Sequence, residues 1–454
     1  MSAKTLTEGP VGQKLRQMAV PMFFGIAAVI LFTVVDTYFV GQLGADELAA
    51  MGFCFPVAFF IQNVAMGIGT GATSVISRAI GAGDQERVRR LTTHSLILAL
   101  LLVVLVALTG LSLLNPLFQA MGAKPELIPL IRDYMVPWFL GVGLLVIPMV
   151  GNSALRATGD TKTPALIMMV AGLVNVVLDP LLIFGLGPFP RLELQGAALA
   201  TCGSWLAAFT GAFYFLHLKY QMLTDPRCGG LLESWREILK VGVPAAGTNV
   251  MVPLCTGILT KMVAEFGKDA VGAFGVAGRL EALSMIGVFA LAASMAPFAG
   301  QNFGAGLCSR IKQGLRIGMG FSLAWGLSVA TLLGLLARPI ASLFSENPAV
   351  IDSLVPYLTT VPWSYGLLGM ALIVTNTFNA VGKPLRATAI IAVRLFVLAI
   401  PLAKLGAEIR GLSGLYTGIF AASSLTGLLA LGMVFRHLRH LEEQFSETPI
   451  PPAV

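Results

Sequence analysis

Long, uninterrupted apolar runs constrain the fold of this sequence more than any other feature. Several of them exceed the roughly 18 residues that mark a candidate membrane-spanning helix. The composition agrees, since 56% of the 454 residues are hydrophobic and only 12% are charged, and the mean hydropathy is +0.82. A soluble globular chain carries about twice that fraction of charged residues. The sequence therefore predicts a multi-pass integral membrane protein.

Hydrocarbon offers the backbone no hydrogen-bond partner, so a chain that crosses it forms helices or a closed β-barrel. The apolar runs are about twenty residues long, whereas barrel strands alternate in segments of about ten. We therefore predict an all-α integral membrane protein with twelve transmembrane helices in two pseudo-symmetric six-helix bundles. The predicted helices cover residues 15–41, 50–77, 92–115, 130–155, 163–186, 194–218, 238–263, 273–300, 316–338, 352–379, 386–405 and 412–436.

An internal repeat supports the two-bundle architecture. Val20-Pro21 aligns without a gap on Val243-Pro244, and GAG at 81–83 falls on GAG at 304–306 in the same register. We therefore predict an N-terminal lobe of residues 1–222, a C-terminal lobe of residues 223–440 and a disordered cytoplasmic tail of residues 441–454. Internally repeated helical bundles with a central cleft are common among transporters.

The basic residues indicate an orientation in the membrane. The chain has 30 Lys and Arg residues and a net charge of +7, and most of these residues lie in one alternate set of predicted loops and tails. By the positive-inside rule, both termini are predicted to be cytoplasmic. The charge is thus a topology signal and predicts no nucleic-acid partner.

A small polar set lies inside the predicted helices of the first half. Asp36 interrupts the apolar run LFTVVDTYFVG, Asn175 and Asp179 share one face of the fifth helix, and Thr201 lies in the sixth. All four fall in the outer half of the membrane. The aligned positions of the second half are apolar: Leu259, Phe396, Ile400 and Ile419. A carboxylate required only by the shared architecture would be expected in both halves.

These polar residues need an energetic explanation. An ionised aspartate at the centre of a membrane helix costs about 2.5–3.5 kcal/mol, and two close carboxylates also repel each other. Binding a proton or a cation relieves both costs, and oxygen ligands suit Na⁺ or H⁺ better than zinc. We therefore assign Asp36, Asn175, Asp179 and Thr201 to a coupling-ion site for H⁺ or Na⁺. The alternative is that these side chains only join helices through hydrogen bonds, typically worth under about 2 kcal/mol.

At these residues the chain resembles the multidrug and toxic compound extrusion (MATE) family, and within it the DinF-like branch. The resemblance extends over all twelve predicted helices and rests on VPMFF, VVDTYFVGQLG, SRAIGAGD, RATGDTKTP and NVVLDPLLIFGLG. It implies a cation-coupled antiporter that exports organic, cationic or amphiphilic compounds by alternating access. The expected location is accordingly the cell (inner) membrane, the expected partners are small organic drug-like compounds and membrane lipids, and the expected state is a monomer. It also implies that the four residues of the polar set form the cation site and that helix 1 bends at Pro21.

Other polar residues of the helices are harder to assign. We place Asn152, Met168 and Asn376 in the substrate cavity, although the two asparagines could equally join helices. One larger group of charges has no assigned role: Lys261, Glu265, Arg279, Glu281 and Arg394.

The motifs do not support an enzyme. GLSG at 411–414 matches the GxSG string of rhomboid-type intramembrane proteases, but His437 lies at the opposite end of the same predicted helix, roughly 35 Å away. Walker A and DDxxD motifs are absent. The five cysteines, Cys228 among them, show no metal-binding spacing, and no cofactor is expected. A lipid-linked oligosaccharide flippase of related fold is the remaining alternative, which the acidic rather than cationic polar set disfavours.

The topology prediction is tested by side-specific labelling in a background without native cysteines. A cysteine introduced near Asp46 should react with an impermeant reagent from outside, and one near Arg87 only from the cytoplasm. Labelling of both positions from one side would contradict the positive-inside assignment.

Overall fold

The structure, a computed structural model, describes residues 6–225 and 229–447. Cys228 and the end of the predicted tail, residues 448–454, lie outside these ranges. The described chain is helical, without β-strands, and its α-helices are α1 (Val11–Gly41), α2 (Ala45–Gly81), α3 (Gln85–Ser112), α4 (Leu114–Ala120), α5 (Ile128–Ala157), α6 (Lys162–Phe184), α7 (Glu193–Tyr214), α8 (Leu231–Ala264), α9 (Lys268–Ser284), α10 (Ile286–Gly304), α11 (Cys308–Leu335), α12 (Ala337–Phe344), α13 (Pro348–Thr360), α14 (Tyr365–Ala380), α15 (Pro384–Ala392) and α16 (Ile400–Glu447).

The all-α membrane fold is confirmed. The described residues contain 11 helical runs long and apolar enough to cross a membrane. One of these runs, Pro384–Arg439, holds two predicted helices, and its backbone leaves the helical conformation at Arg410 and Gly411, where the sequence predicts the break. Gly411 has φ 62°, a value that favours glycine. The predicted helix 273–300 differs, since it is divided between α9 and α10 at Met285.

Packing divides the described residues into two compact units. The first contains residues 24–76 and 84–246, and the second contains 6–23, 77–83 and 247–447. The division falls inside α1 after Phe23 and inside α8 after Ala246, which are aligned positions of the repeat. The predicted lobe boundary at 222/223 stays a prediction, and α16 continues to Glu447, into the predicted tail.

In the first unit, α1 and α6 pack closely and run parallel. A Cβ added to Gly25 would lie 3.1 Å from Ala165, and seven residues further on, a Cβ added to Gly172 would lie 1.7 Å from the ring of Phe32. Both contacts have the same sequence separation, so the two helices advance in the same direction. Only glycine fits against the Phe32 ring at this crossing.

The second unit repeats this contact with different side chains. The Thr248 hydroxyl donates to the Thr388 hydroxyl at 3.1 Å, and the Cys255 thiol donates to the Leu395 carbonyl oxygen at 3.6 Å. These four residues align, in the ungapped register, with the four contact residues of the first unit. The repeat seen in the sequence is therefore also a repeat of helix packing.

The loop between α5 and α6 is fixed by Asp160. Its carboxylate accepts the backbone N–H groups of Lys162 and Thr163 at 3.0 and 3.1 Å, and also the hydroxyls of Thr163 and Tyr220. Burial raises the pKa of Asp160, but these hydrogen bonds outweigh it and hold the pKa below its ordinary value. The carboxylate thereby ties the segment that follows α7 to the start of α6.

The start of the chain is fixed in the second unit by a set of contacts that we call the N-terminal clasp. The Arg310 guanidinium donates to the carbonyl oxygens of Leu6 and Gly9 at 3.1 and 3.0 Å and to the Asn302 side-chain oxygen at 2.9 Å. The Leu6 N–H donates to the side-chain oxygen of Gln301 at 2.9 Å. Leu6, Gln301 and Asn302 are all buried.

The start of α8 is fixed in the first unit by the aligned arginine, in what we call the α8 clasp. Arg87 takes the position of Arg310 in the repeat, and its guanidinium donates to both carboxylate oxygens of Glu237 at 2.9 and 3.0 Å. Beside this pair, the buried His94 ring lies 2.8 Å from the Ser234 hydroxyl. Aligned arginines thus hold the start of α1 in the second unit and the start of α8 in the first.

Arg310→Gln should lower thermal stability more than Arg87→Gln. Arg310 donates hydrogen bonds to a buried side-chain amide and to backbone carbonyls. A buried polar group left without a hydrogen bond lowers the free energy of unfolding by about 1–3 kcal/mol. The side chains of Arg87 and Glu237 are 42% and 33% exposed, and exposed ion pairs are worth about 0–1 kcal/mol. Thermal unfolding of the purified variants in detergent checks the order, and equal losses would contradict it.

Candidate ion and substrate site

The contact between α1 and α6 positions Asp36. Because Phe32 packs on Gly172 and the helices are parallel, the next turn of α1 faces the next turn of α6. Asp36 lies one turn after Phe32, and Asn175 and Asp179 flank the matching level of α6. The contact between Phe32 of α1 and Gly172 of α6 therefore places Asp36 at the same level along the helix pair as Asn175 and Asp179.

Each of the two carboxylates has at least one buried oxygen. Asp179 is 0% exposed, and the Asn175 amide nitrogen donates to Asp179 Oδ1 at 3.2 Å. Asp179 Oδ2 and Asp36 Oδ1 are buried without a hydrogen-bond partner, and the two carboxylates are close enough for their charges to interact. A buried carboxylate oxygen without a donor is costly unless a proton or a cation neutralises the group.

Two further oxygens near this level come from α6 and α7. The Thr201 hydroxyl donates to the Ala197 carbonyl oxygen at 2.9 Å within α7, so it can offer a cation only its lone pairs. Pro180 lies inside α6, and its ring leaves the carbonyl of Val176 without a helical donor. The assignment of Thr201 to the ion site stays a prediction.

Tyr134 is a member of this neighbourhood that the sequence reasoning missed. It is buried on α5 at 7% exposure and lies within electrostatic range of Asp36 and Asp179. A phenol can donate to a carboxylate or accept a hydrogen bond. The sequence did carry a signal, because Tyr134 aligns on Tyr357 in the ungapped register of the repeat, and the buried positions around the two tyrosines coincide.

The residues predicted to line a substrate cavity lie in both units. In the first unit, Asn152 is buried with its Oδ1 unpartnered, and Met168 is half-buried two turns before Asn175 on the same face of α6. In the second unit, the Asn376 amide donates to the Leu372 carbonyl oxygen at 2.9 Å within α14. Their assignment to the cavity stays a prediction.

One cation accompanies Asn152 on α5. Arg156 lies four residues later and therefore on the same helix face, and its guanidinium donates to the Ser153 hydroxyl at 2.7 Å. The Ser153 carbonyl oxygen in turn accepts the Thr73 hydroxyl of α2 at 3.1 Å. This part of the first unit thus holds a guanidinium and a free amide oxygen side by side.

The predicted bend at Pro21 lies within one continuous helix. α1 passes through Pro21 without interruption, and its packing changes from the second unit to the first after Phe23. Proline removes one helical hydrogen bond and makes the turn before it easier to kink. The bend itself stays a prediction.

The second unit contains a polar cluster built from charges that had no assigned role. The Tyr357 hydroxyl donates to Glu281 Oε2 at 2.5 Å, and Arg394 lies within electrostatic range of both residues. The Tyr416 ring packs on Tyr357 with centroids 5.1 Å apart, and its buried hydroxyl has no hydrogen-bond partner. This carboxylate lies within electrostatic range of a guanidinium, whereas those of the first unit lie within range of each other. Lys261, Glu265 and Arg279 remain unassigned.

The ungapped alignment of the two halves no longer matches equivalent helix contacts near the predicted ion site. A Cβ on Gly196 would lie 2.3 Å from the Leu182 carbonyl oxygen, and one on Gly418 would lie 2.2 Å from that of Leu402. These equivalent contacts no longer fit the ungapped register that holds earlier in the same helices. A π-helical segment, Val393–Ala399, lies just before this point in the second unit, and such segments often occur at functional sites.

Comparisons with known proteins agree with the repeat. The MatE family model matches residues 21–181 and, a second time, residues 244–405. The chain is 40% identical over 425 residues to the FAD transporter of Shewanella oneidensis, covering 93% of this chain and 94% of that protein. It is 24% identical over 433 residues to the multidrug export protein MepA of Staphylococcus aureus, covering 94% of each.

A solved structure shows the same fold. The Vibrio cholerae MATE transporter VcmN in its bent form aligns with a TM-score of 0.89 at 32% identity, covering 95% of this chain and 97% of that chain. The assignment to the DinF-like branch stays a prediction. Because the family model matches most of both halves, this chain belongs to the MatE family, and it is a membrane transporter and not an enzyme.

Proposed function

We propose that this protein is a cation-coupled antiporter that exports small organic compounds through the cell (inner) membrane by alternating access. One observation carries the coupling: Asp36 and Asp179 each have a buried carboxylate oxygen without a hydrogen-bond donor. Two interacting, undersatisfied carboxylates gain free energy by taking up a positive charge. Uptake and release of that charge then provide the alternation that an exporter requires.

The coupling ion is H⁺ or Na⁺. A proton on either carboxylate would remove the repulsion and supply the missing donor. A Na⁺ would instead draw on the carboxylate oxygens, the Asn175 amide oxygen and the Thr201 lone pairs, since the Asn175 nitrogen already serves Asp179. A full crossing by one charge contributes about 2.3 kcal/mol per 100 mV of membrane potential.

Organic cations are one candidate substrate class. An acidic site that accepts the driving cation also attracts a cationic substrate, so the two can compete for one electrostatic environment. The 24% identical relative is named a multidrug export protein. This name favours export of small compounds over the flippase alternative.

FAD is a second candidate substrate. The 40% identical relative is named a FAD transporter, and the diphosphate of FAD requires cationic recognition. Arg156 and the free amide oxygen of Asn152 share a face of α5 in the first unit. A guanidinium beside a hydrogen-bond acceptor suits a phosphate group next to a polar heterocycle.

Asp36→Asn should keep the fold and abolish gradient-driven export. The amide keeps the size of the side chain but cannot be charged, and removing one partner of a buried ion pair costs about 3–5 kcal/mol, or roughly 10²–10⁴-fold in ion affinity. Export from proteoliposomes under separately imposed pH and Na⁺ gradients measures this and identifies the ion. Asp179→Asn should behave alike, and the double variant should lose no more than either single one.

The matched control is Asp46→Asn, which removes an exposed carboxylate at the start of α2. It should export at the wild-type rate. If Asp36→Asn also exported normally with an unchanged response to both gradients, the carboxylate would serve only to join helices and the coupling proposal would be wrong.

Arg156→Gln should separate the two substrate candidates. A hydrogen bond to a charged group contributes about 1.5–3 kcal/mol, so FAD export should fall roughly 10- to 100-fold, while export of a cationic dye such as ethidium changes little. Arg156→Lys should keep part of the FAD export because it keeps the charge. Fluorescence of both compounds in the same proteoliposomes provides the measurement.

Arg132→Gln is the control on the same helix, since Arg132 is exposed and only weakly bonded to Asn115 at 3.4 Å. Absence of FAD export by the wild-type protein would eliminate FAD as a substrate. Equal losses of FAD and dye export in Arg156→Gln would show that Arg156 supports the helix and does not contact the substrate.

A further inference from the structure

An open groove lies in the second unit, between the start of α15 and the last part of α16. Its volume is about 990 Å³, and three arginines line it: Arg386 from α15, and Arg436 and Arg439 from α16. All three side chains are exposed. None of the described residues that line the groove is acidic, so its described lining brings together three positive charges.

Apolar side chains and a buried aromatic contact form part of the groove. Met433 and Phe435 contribute apolar surface, and Arg386 lies over the ring of Phe378 at 5.9 Å from its centroid. The buried His437 ring packs on the same phenylalanine with centroids 5.6 Å apart. Phe378 thus supports both walls of the groove and positions Arg386 toward α16.

An exposed apolar stripe leads along α16 to this groove. Leu425, Leu428, Leu429 and Met433 are 44%, 55%, 52% and 39% exposed, and their spacing places them on the helix face that ends at Arg436. A molecule that covers the stripe with hydrocarbon therefore brings its polar end to the arginines. This arrangement fits an amphiphile with a negatively charged head.

The predicted topology places the groove at the cytoplasmic surface of the membrane. Arg386 begins one predicted transmembrane helix, 386–405, and Arg436 ends the next, 412–436. Both ends belong to the basic, cytoplasmic side of the predicted topology. Basic pockets between transmembrane helices on that side bind the head groups of anionic lipids.

We propose that the groove lined by Arg386, Arg436 and Arg439 binds the phosphodiester head group of an anionic glycerophospholipid from the cytoplasmic leaflet. The guanidinium groups bind the phosphate oxygens, which they match in geometry as well as charge. The acyl chains lie along the stripe from Met433 to Leu425. This site is independent of the proposed transport cycle, and its test does not require transport.

Native mass spectrometry of the full chain in detergent provides the test, with dioleoyl phosphatidylglycerol and dioleoyl phosphatidylcholine as probes. The wild-type protein should retain phosphatidylglycerol at least about tenfold more strongly, the ratio that 1.4 kcal/mol produces. The triple variant R386Q/R436Q/R439Q should lose this preference. A photoactivatable phosphatidylglycerol should crosslink to the segment 425–439 in the wild-type protein and not in the triple variant.

The matched control removes three exposed arginines elsewhere, in R132Q/R338Q/R410Q, and thus changes the net charge equally. It should keep the lipid preference. Equal loss in both triple variants, or crosslinks distributed outside 425–439, would overturn the proposal.

If inorganic phosphate or glycerol 3-phosphate bound as tightly as the lipid and displaced it, the groove would be a site for soluble phosphates. Should the groove triple variant unfold, the single variant R436Q carries the same test.

Discussion

Hydrocarbon provides no hydrogen-bond partner, and the rest of this structure depends on that condition. It obliges the backbone to form helices, and it makes every buried charge costly unless a counter-charge or a proton accompanies it. The chain meets the second requirement differently in its two units. Asp36 and Asp179 keep undersatisfied oxygens, whereas Glu281 is bonded to Tyr357 and lies within electrostatic range of Arg394. Our proposal of a coupling cation therefore concerns the first unit.

The contrast between the units arises from one place in the repeat. The α1–α6 contact and its counterpart between α8 and the run beginning at α15 use aligned residues. Beyond Gly172 the first unit continues as a regular α-helix with Asn175 and Asp179, while the second passes through the π-helical segment Val393–Ala399. Duplicated helices thus share their scaffold and diverge within two turns.

The sequence predicted the features that depend on hydrophobic length and missed those that depend on how helix faces pack. Helix number and approximate ends were predictable because hydrophobic length alone determines them, and Asp36 was conspicuous because a charge in an apolar run is expensive. The positions of Tyr134 near Asp36 and of Arg394 near Glu281 were missed, since they depend on which helix faces meet. Those faces are set by contacts such as Phe32 on Gly172, and hydropathy does not encode them. The break at Met285 was missed for the same reason.

The N-terminal clasp has a consequence for biosynthesis. Leu6 is made well before its partner Gln301, which lies 295 positions later. At about 5–20 residues per second, Leu6 waits roughly 15–60 s for that partner to be synthesised. In the α8 clasp the wait falls on the other side: Arg87 and His94 are made first, so the start of α8 meets its partners as soon as it is synthesised. The first turns of α1 therefore complete their packing only after α10 and the start of α11 have left the ribosome.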